Sequence, residues 1–422
     1  MRIKLAVLML CSLFLTACSN GIIQPYSVQP DKVSNQLTIP EQQDVKQDEL
    51  TVWSYYDTTS TNQFFESLHP GVKVTTKLFN YNEIVEVYIK AFLNGEGPDI
   101  VVFDGNHISN FNGINGLADL SAQQFNSKDY LDKIPDKYIH LYSSFDRKGI
   151  IAIPTEIYSA FTFYRADLLE ENGFPFEPDE LAEYLKDPDH WIYMAKELKK
   201  KDIYIFQYYT DPFEVSSMSY SMFDRNLKFN RSGEVYEKTL YTAKEIRRSG
   251  LSLRSSMWDS SGQAALRNGQ LAMIYMGSWG VNNLKSWVPE QEGKWRAAEL
   301  PLGLSGFQSG AAAGIVNTSK NKAFAWEYLK LMSNIKEPTA DSSSVRYLGG
   351  QDILALVNKS VNKPSYLFPT PLDAELADVW STRIRLMIES DGSDVEDLRQ
   401  AREYIELLTK SDRKQLMKFI EH

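Results

Sequence analysis

Leu50-Thr51-Val52-Trp53-Ser54-Tyr55-Tyr56-Asp57 opens a stretch that closes on Asp99-Ile100-Val101-Val102-Phe103-Asp104, and its reading decides the fold. Leu50–Trp53 alternates as a strand does. The Thr, Ser and Asn residues at 58–62 are N-cap types, so a helix is expected from there to Leu68, stopped by His69-Pro70-Gly71. Val72–Leu78 reads as a second strand. From Tyr81 to Leu93, Ile84, Val87, Tyr88, Ala91 and Phe92 fall at helical spacing, and Asn94-Gly95-Glu96-Gly97-Pro98 ends that helix. Ile100–Phe103 is a continuous apolar run of the buried-strand type. Strand, helix, strand, helix, strand is the pattern of a parallel sheet covered on both faces. Ligands of such sheets sit beyond the carboxyl ends of the strands, which makes Tyr55, Tyr56 and Asp104 the first site candidates, and Asp57 shares the loop after the first strand with the two tyrosines.

Before this stretch the chain divides in two. Arg2 and Lys4 precede an apolar run from Leu5 to Leu15, too short to span a bilayer, so residues 1–17 read as a secretory signal peptide. The ending Leu15-Thr16-Ala17-Cys18 resembles a bacterial lipobox, with Cys18 as the lipid attachment site; the alternative is an ordinary signal peptide with an incidental Cys. Residues 18–48 carry Gln, Asp, Ser and Pro without apolar periodicity and are expected to form a flexible tether. Loss of Arg2 and Lys4 takes the formal net charge from −10 to −12. That balance argues against nucleic acid and anionic lipid surfaces, which select clustered Lys and Arg. With Cys11 removed and Cys18 lipidated, no disulfide is available.

Beyond Asp104, Gly149–Pro154 reads as a strand leading to Thr155-Glu156 and the aromatic run Phe161–Tyr164. Asp187-Pro188 is a helix start, and Trp191, Met194, Ala195 and Leu198 share that helix's face. A helix over Ser261–Asn268 follows Trp258-Asp259. Strands are expected at Leu271–Met276, Trp295–Leu300 and Ala311–Val316, and a helix capped by Ser319 after them. The five histidines show no metal-ligand spacing, and no nucleophile elbow or phosphate loop occurs. A glycosidase carboxylate pair has no local signature. The adjacent tyrosines Tyr55-Tyr56 and Tyr208-Tyr209 raise ferric iron held by phenolates, against the plainer reading of loop packing. No metal, cofactor or catalytic residue is expected.

These pieces resemble the extracellular solute-binding lipoproteins of carbohydrate ABC importers. The resemblance rests on L-T-V-W-S-Y-Y-D at 50–57, G-E-G-P-D-I-V-V-F-D at 95–104, G-I-I-A-I-P-T-E at 149–156 and F-Y-R-A-D-L at 163–168. A-M-I-Y-M-G-S-W-G at 272–280, L-P-L-G at 300–303 and G-I-V-N-T-S-K-N-K-A-F-A-W-E-Y-L at 314–329 extend it. It implies two α/β lobes of the periplasmic-binding-protein type around a ligand cleft, joined by a hinge crossed near Pro154–Glu156, near Leu300-Pro301 and around 335–345. The lobes would be 49–154 with about 302–340, and 155–301 with about 341–422. It further implies a non-enzymatic monomer, lipid-anchored on the extracytoplasmic face of the cell membrane, that hands a sugar or oligosaccharide to an ABC permease. An exported carbohydrate-active enzyme and a ligand sensor for a membrane kinase are the alternatives.

A sugar ring offers an apolar face for aromatic stacking and hydroxyls that need carboxylates or amides. Trp279 is a candidate platform, with Gly277 and Gly280 leaving room for a ligand, or else a buried aromatic at a helix start. Trp258-Asp259 sets a ring beside a carboxylate. Asp104 is a hydroxyl acceptor or a cap of the next segment, and Glu156 a ligand or a brace of the crossover. Tyr158, Tyr164 and Asp211 are further candidates, each also readable as structural, and the backbone at Gly310 is a possible contact.

Overall fold

The structure is a computed structural model and describes residues 48–308, 310–333, 342–363 and 366–421. Two sheets organise it. The first has the order β2-β1-β3-β9-β4, built from β1 (Asp48–Ser54), β2 (Val72–Leu78), β3 (Ile100–Asp104), β4 (Ile153–Pro154) and β9 (Ala311–Ile315). β1 is parallel to β2 and β3, and β9 runs antiparallel between β3 and β4. The expected β-α-β core is therefore present, with an antiparallel strand returning from far along the chain. Alternation along β3 covers both faces. Ile100 and Val102 pack with Phe65, Trp326 and Tyr328, while Val101 and Phe103 pack with Ile84, Tyr88 and Phe111.

The second sheet is antiparallel around β5 (Ser159–Arg165), which pairs with β6 (Met273–Gly277), β7 (Trp295–Ala298) and the short β8 (Gly306–Phe307). β5 is buried along its whole length. Ala160 and Tyr164 face Trp191, Met194 and Leu198 of the helix Pro188–Lys199; Phe161 and Phe163 face Leu266, Leu284, Tyr347 and Ile353. The expected cap at that helix is present, since Asp187 Oδ1 accepts from Asp189 N at 2.8 Å beside Pro188.

Three local expectations are corrected. The helix Thr59–Leu68 is started not by the Thr, Ser and Asn group but by Asp57, whose Oδ1 accepts from Thr59 N at 3.0 Å and from the Thr59 hydroxyl at 2.6 Å. Ser319 does not cap the helix Lys322–Met332. Its hydroxyl donates to Asp99 Oδ1 at 2.6 Å, tying the segment to the start of β3. The second crossing also comes later than Leu300-Pro301. Phe307 still pairs with Ser159 of the second sheet, and only from Ala311 does the chain join the first. Residues 302–307 therefore go with the second lobe, because backbone pairing rather than the Pro301 turn decides where a strand belongs.

The third crossing, expected at 335–345, falls largely outside the described residues. On its near side Trp326 and Tyr328 pack in the first lobe, and on its far side Tyr347 packs in the second. The helices Asp373–Glu389 and Asp394–Leu408 also join the second lobe, against Phe213, Tyr236 and Leu240. The signal peptide, Cys18 and nearly all of the tether lie outside the described residues. Among the described residues, no helix is long and apolar enough to cross a membrane.

Candidate functional site

The carboxyl ends of β1 and β3 and the first hinge strand converge. Tyr55 and Tyr56, half-buried after β1, meet edge to face at 5.0 Å between ring centroids, and Ser54 Oγ bonds the Tyr56 backbone on both sides. Tyr81 adds a third ring, 5.5 Å from Tyr55. It was expected to begin a helix, but that helix begins at Ile84, which leaves Tyr81 in the turn beside the site. The Asp104 carboxylate lies close enough to act on its phenol. Asp104 fulfils both of its readings: Oδ1 accepts from Asn106 N at 2.9 Å and caps the turn Gly105–Asn110, while its charge acts on Tyr55, Tyr81 and Tyr142.

On the hinge, the Glu156 carboxylate lies close enough to Tyr158 to act on its phenol. Burial pushes the Tyr55 phenol far up, with Asp104, Tyr56 and Glu156 adding to it. Burial and Asp104 push Tyr81 up to about 12. Burial and then Glu156 raise Tyr158. These phenols stay protonated donors at neutral pH, and the charges acting on them are carboxylates. His107, 5.2 Å from Tyr81, is held below the ordinary imidazole value by burial, against the pull of Asp104.

Trp279 is half-buried at the edge of the second lobe. Its indole Nε1 donates to Gln308 O at 3.2 Å, and the Gln308 side chain accepts from Gly277 N. Gln308 N donates to Tyr158 O at 3.0 Å, so a single hinge residue connects Trp279 to the tyrosine group. Trp258, 54% exposed, lies 5.9 Å from Trp279 and edge-on to Trp287 at 5.3 Å. The reason given for Gly277 and Gly280 is corrected: they make room for the protein's own atoms. A Cβ at Gly277 would stand 2.3 Å from Trp279 Nε1, and one at Gly280 2.0 Å from Met276 Sδ. Gly310 likewise serves the hinge. A Cβ there would come within 2.3 Å of Glu156 O, and its own carbonyl accepts from Gly105 N at 2.7 Å.

Four candidates do not join the group. Tyr164 is fully buried in the second lobe and donates to Phe176 O at 2.7 Å, because both faces of β5 are covered by packed side chains. Asp211 is buried, with its carboxylate on Gln207 N and Tyr208 N at 2.7 and 3.0 Å, where it closes a loop. Asp57 is exposed and occupied with Thr59. Asp259 is exposed at the start of the helix Ser260–Arg267. Sequence reasoning missed Tyr81, His107, Tyr142 and Gln308. Tyr81 follows β2 on the edge that carries Tyr55, which is a usable signal; the others have none.

Between the lobes lies a cavity of about 220 Å³, bounded by Gly105–Ser109 and Tyr142 on one side and by Ser217, Tyr220 and Arg231 on the other. Among the described residues no group of three His, Cys, Asp or Glu is placed to hold a metal.

The family model for bacterial extracellular solute-binding proteins matches residues 63–344. The chain belongs to this family. As a solute-binding protein it shares its two-lobe fold with solved structures of low identity. The galacto-N-biose/lacto-N-biose I-binding protein of a Bifidobacterium longum ABC transporter aligns with a TM-score of 0.71 and 15% identity, covering 87% of this chain and 98% of that one. The sugar-binding protein MalE of Xanthomonas citri gives 0.69 and 15%, covering 87% and 99%. The GacH receptor of Streptomyces glaucescens, solved unliganded and with acarbose, gives 0.67 and 18%, covering 86% and 98%. No curated protein sequence matches the chain.

Proposed function

We propose that this solute-binding protein captures a neutral sugar or short oligosaccharide between its lobes and delivers it to the permease of an ABC importer, without chemical change to the sugar. The observation that carries the reading is the bracketing of Tyr55, Tyr56, Tyr81 and Tyr158 by Asp104 and Glu156. Rings supply a face for the pyranose, and carboxylates accept from its hydroxyls. Since the charges acting on these phenols are negative, an anionic sugar would be repelled. Trp279 and Trp258 extend the aromatic surface at the second lobe. The sugar ligands named for the structural relatives support the same class. The Leu15-Thr16-Ala17-Cys18 ending supports lipid anchoring on the extracytoplasmic face of the membrane.

Thermal shift of the full chain against a panel of neutral, amino and acidic sugars tests this. A ligand at about a hundred times its Kd adds roughly 2.7 kcal/mol to the folded state. A response confined to one neutral class, with the sugar recovered unchanged, is the expected result. Turnover of a glycan would replace the reading with a carbohydrate-active enzyme, and a response only to uronic acids would contradict the site. Cys18→Ala should release the protein from membranes; continued sedimentation with them would reject the anchor.

A further inference from the structure

At the end of the second lobe remote from the hinge, the chain gathers charge that the sugar site does not use. β5 leaves the hinge at Ser159 and ends at Arg165, about 20 Å away at about 3.3 Å per residue. There the chain turns into the helix Ala166–Glu171, and Arg165 lines a hollow of about 420 Å³ with Lys201, Arg267, Gly269 and Lys294. The Arg165 side chain is only 7% exposed. Asp167 holds it by a fork, with Nε donating to Oδ1 at 2.7 Å and Nη2 to Oδ2 at 2.6 Å. Nη1 is left over. It has no hydrogen-bond partner among the described residues, yet it is not sealed from solvent. A Cβ at Gly269 on the wall of the hollow would stand 3.7 Å from it. A guanidinium whose position is already set by one carboxylate is a preorganised donor for a second anion.

Three more cations surround the hollow, each from a different segment. Lys201 follows the helix Pro188–Lys199, Arg267 ends the helix Ser260–Arg267, and Lys294 precedes β7. All three are exposed, and among the described residues none is in an ion pair. The carboxylates nearby do not take them up. Asp202 accepts from Gln270 Nε2 at 2.6 Å, Asp167 is committed to Arg165, and Glu290 also lines the hollow. The chain has a formal charge of −10, so four cations gathered on one hollow are not its average surface. Their mutual repulsion is relieved by an anion between them. At about 30 Å³ per water the hollow corresponds to about fourteen waters, room for a phosphate and the group esterified to it. We propose that this hollow binds the phosphate group of a phosphate ester. Arg165 Nη1 donates to it from the buried side, and Lys201, Arg267 and Lys294 meet its oxygens from the exposed side. The site lies apart from the cleft and does not rest on the sugar reading.

Isothermal titration of the full chain with glycerol 3-phosphate at fixed ionic strength tests this, with glycerol as the uncharged control. Glycerol 3-phosphate should bind with a Kd of about 1 mM or tighter, and glycerol should not bind. Arg267→Gln combined with Lys294→Gln, both at exposed positions, should remove at least about tenfold, the scale of lost hydrogen bonds from charged groups. Arg165→Lys keeps the charge but loses the fork and should also weaken binding; the double variant carries the test if this one does not fold. Lys90→Gln, on the first lobe, should change nothing. Vesicles of phosphatidylglycerol, against phosphatidylcholine whose phosphate is neutralised by its own amine, identify the source of the ester. They are tested with the full chain carrying Cys18→Ala, so that no lipid anchor contributes. Vesicle binding that the double variant abolishes assigns a lipid headgroup, and binding of glycerol 3-phosphate alone assigns a soluble ester. Absence of binding to both probes overturns the site. So does binding that the double variant leaves unchanged, or that Lys90→Gln weakens equally.

Discussion

The ring of Trp279, proposed above to meet the ligand, is held from behind: the indole N–H is satisfied by Gln308 O, and Gly277 leaves space for the ring to fold back. Trp279→Ala should weaken sugar binding by about 1–3 kcal/mol, as at interface hot spots, with a small change in melting temperature. A large stability loss at unchanged affinity, read by calorimetry, would make the ring a core residue. Asp373 carries a cost of a different kind. Burial lifts its carboxyl to about 6, against the opposing effects of Thr370 N, the Arg231 charge and the Thr370 hydroxyl. The folded chain thus holds this proton more tightly than the unfolded one. Its favourable contribution is present below the ordinary carboxylate value and is lost as pH rises through about 6. Asp373→Asn should therefore be more stable than wild type by on the order of 3 kcal/mol above that pH, at about 1.4 kcal/mol per pKa unit. The gap should close near pH 4, roughly the ordinary carboxylate value. Urea midpoints measured across this range decide it, and a gap independent of pH would refute the assignment.

Among the elements, the hinge strands and the C-terminal helices are held by contrasting means. The two hinge segments approach so closely at Gly310 and Glu156 that a Cβ at Gly310 would stand 2.3 Å from Glu156 O. Gly310→Ala should destabilise the fold by about 1–3 kcal/mol through overpacking and should also weaken ligand binding, since the segment that carries Glu156 and Tyr158 must move away. A variant as stable as wild type would show that the segments yield freely. The helix Asp394–Leu408 is fastened to the helix Glu234–Ser249 by Lys244, almost wholly buried, which reaches Asp394 and Asp397 at 2.8 and 2.7 Å and Gly392 O at 3.0 Å. Lys244→Ala leaves two carboxylates without their cation and should cost about 3 kcal/mol. Chemical denaturation measures it, and Lys244→Met with Asp397→Leu should recover part of the loss.

For the whole molecule, the two sheets are separate cores connected by crossings, so their relative angle is the soft coordinate. Sugar that contacts both lobes should close them, and small-angle scattering should record a smaller radius of gyration at saturation. An unchanged radius with a bound sugar would limit the site to one lobe. The first sheet, its β-α-β order and its helices were legible from Leu50 to Asp104, because period-2 and period-3.6 patterns with their stop signals are local properties. Family membership was legible for the same reason, being carried by short motifs in a fixed order. Tyr55, Tyr56, Asp104, Glu156 and Trp279 were also legible as candidates, since each ends a strand or begins a crossing. What only the tertiary structure decided is which side chains meet. Tyr164 and Tyr158 look alike in the chain, yet one faces a core and the other a hinge carboxylate. Gln308 joins the two halves of the site, β8 belongs to the second sheet, and Asp373 and Arg231 come from segments more than a hundred residues apart to line the cavity between the lobes. Such pairings depend on how two independent cores are set against each other, and no local periodicity encodes that.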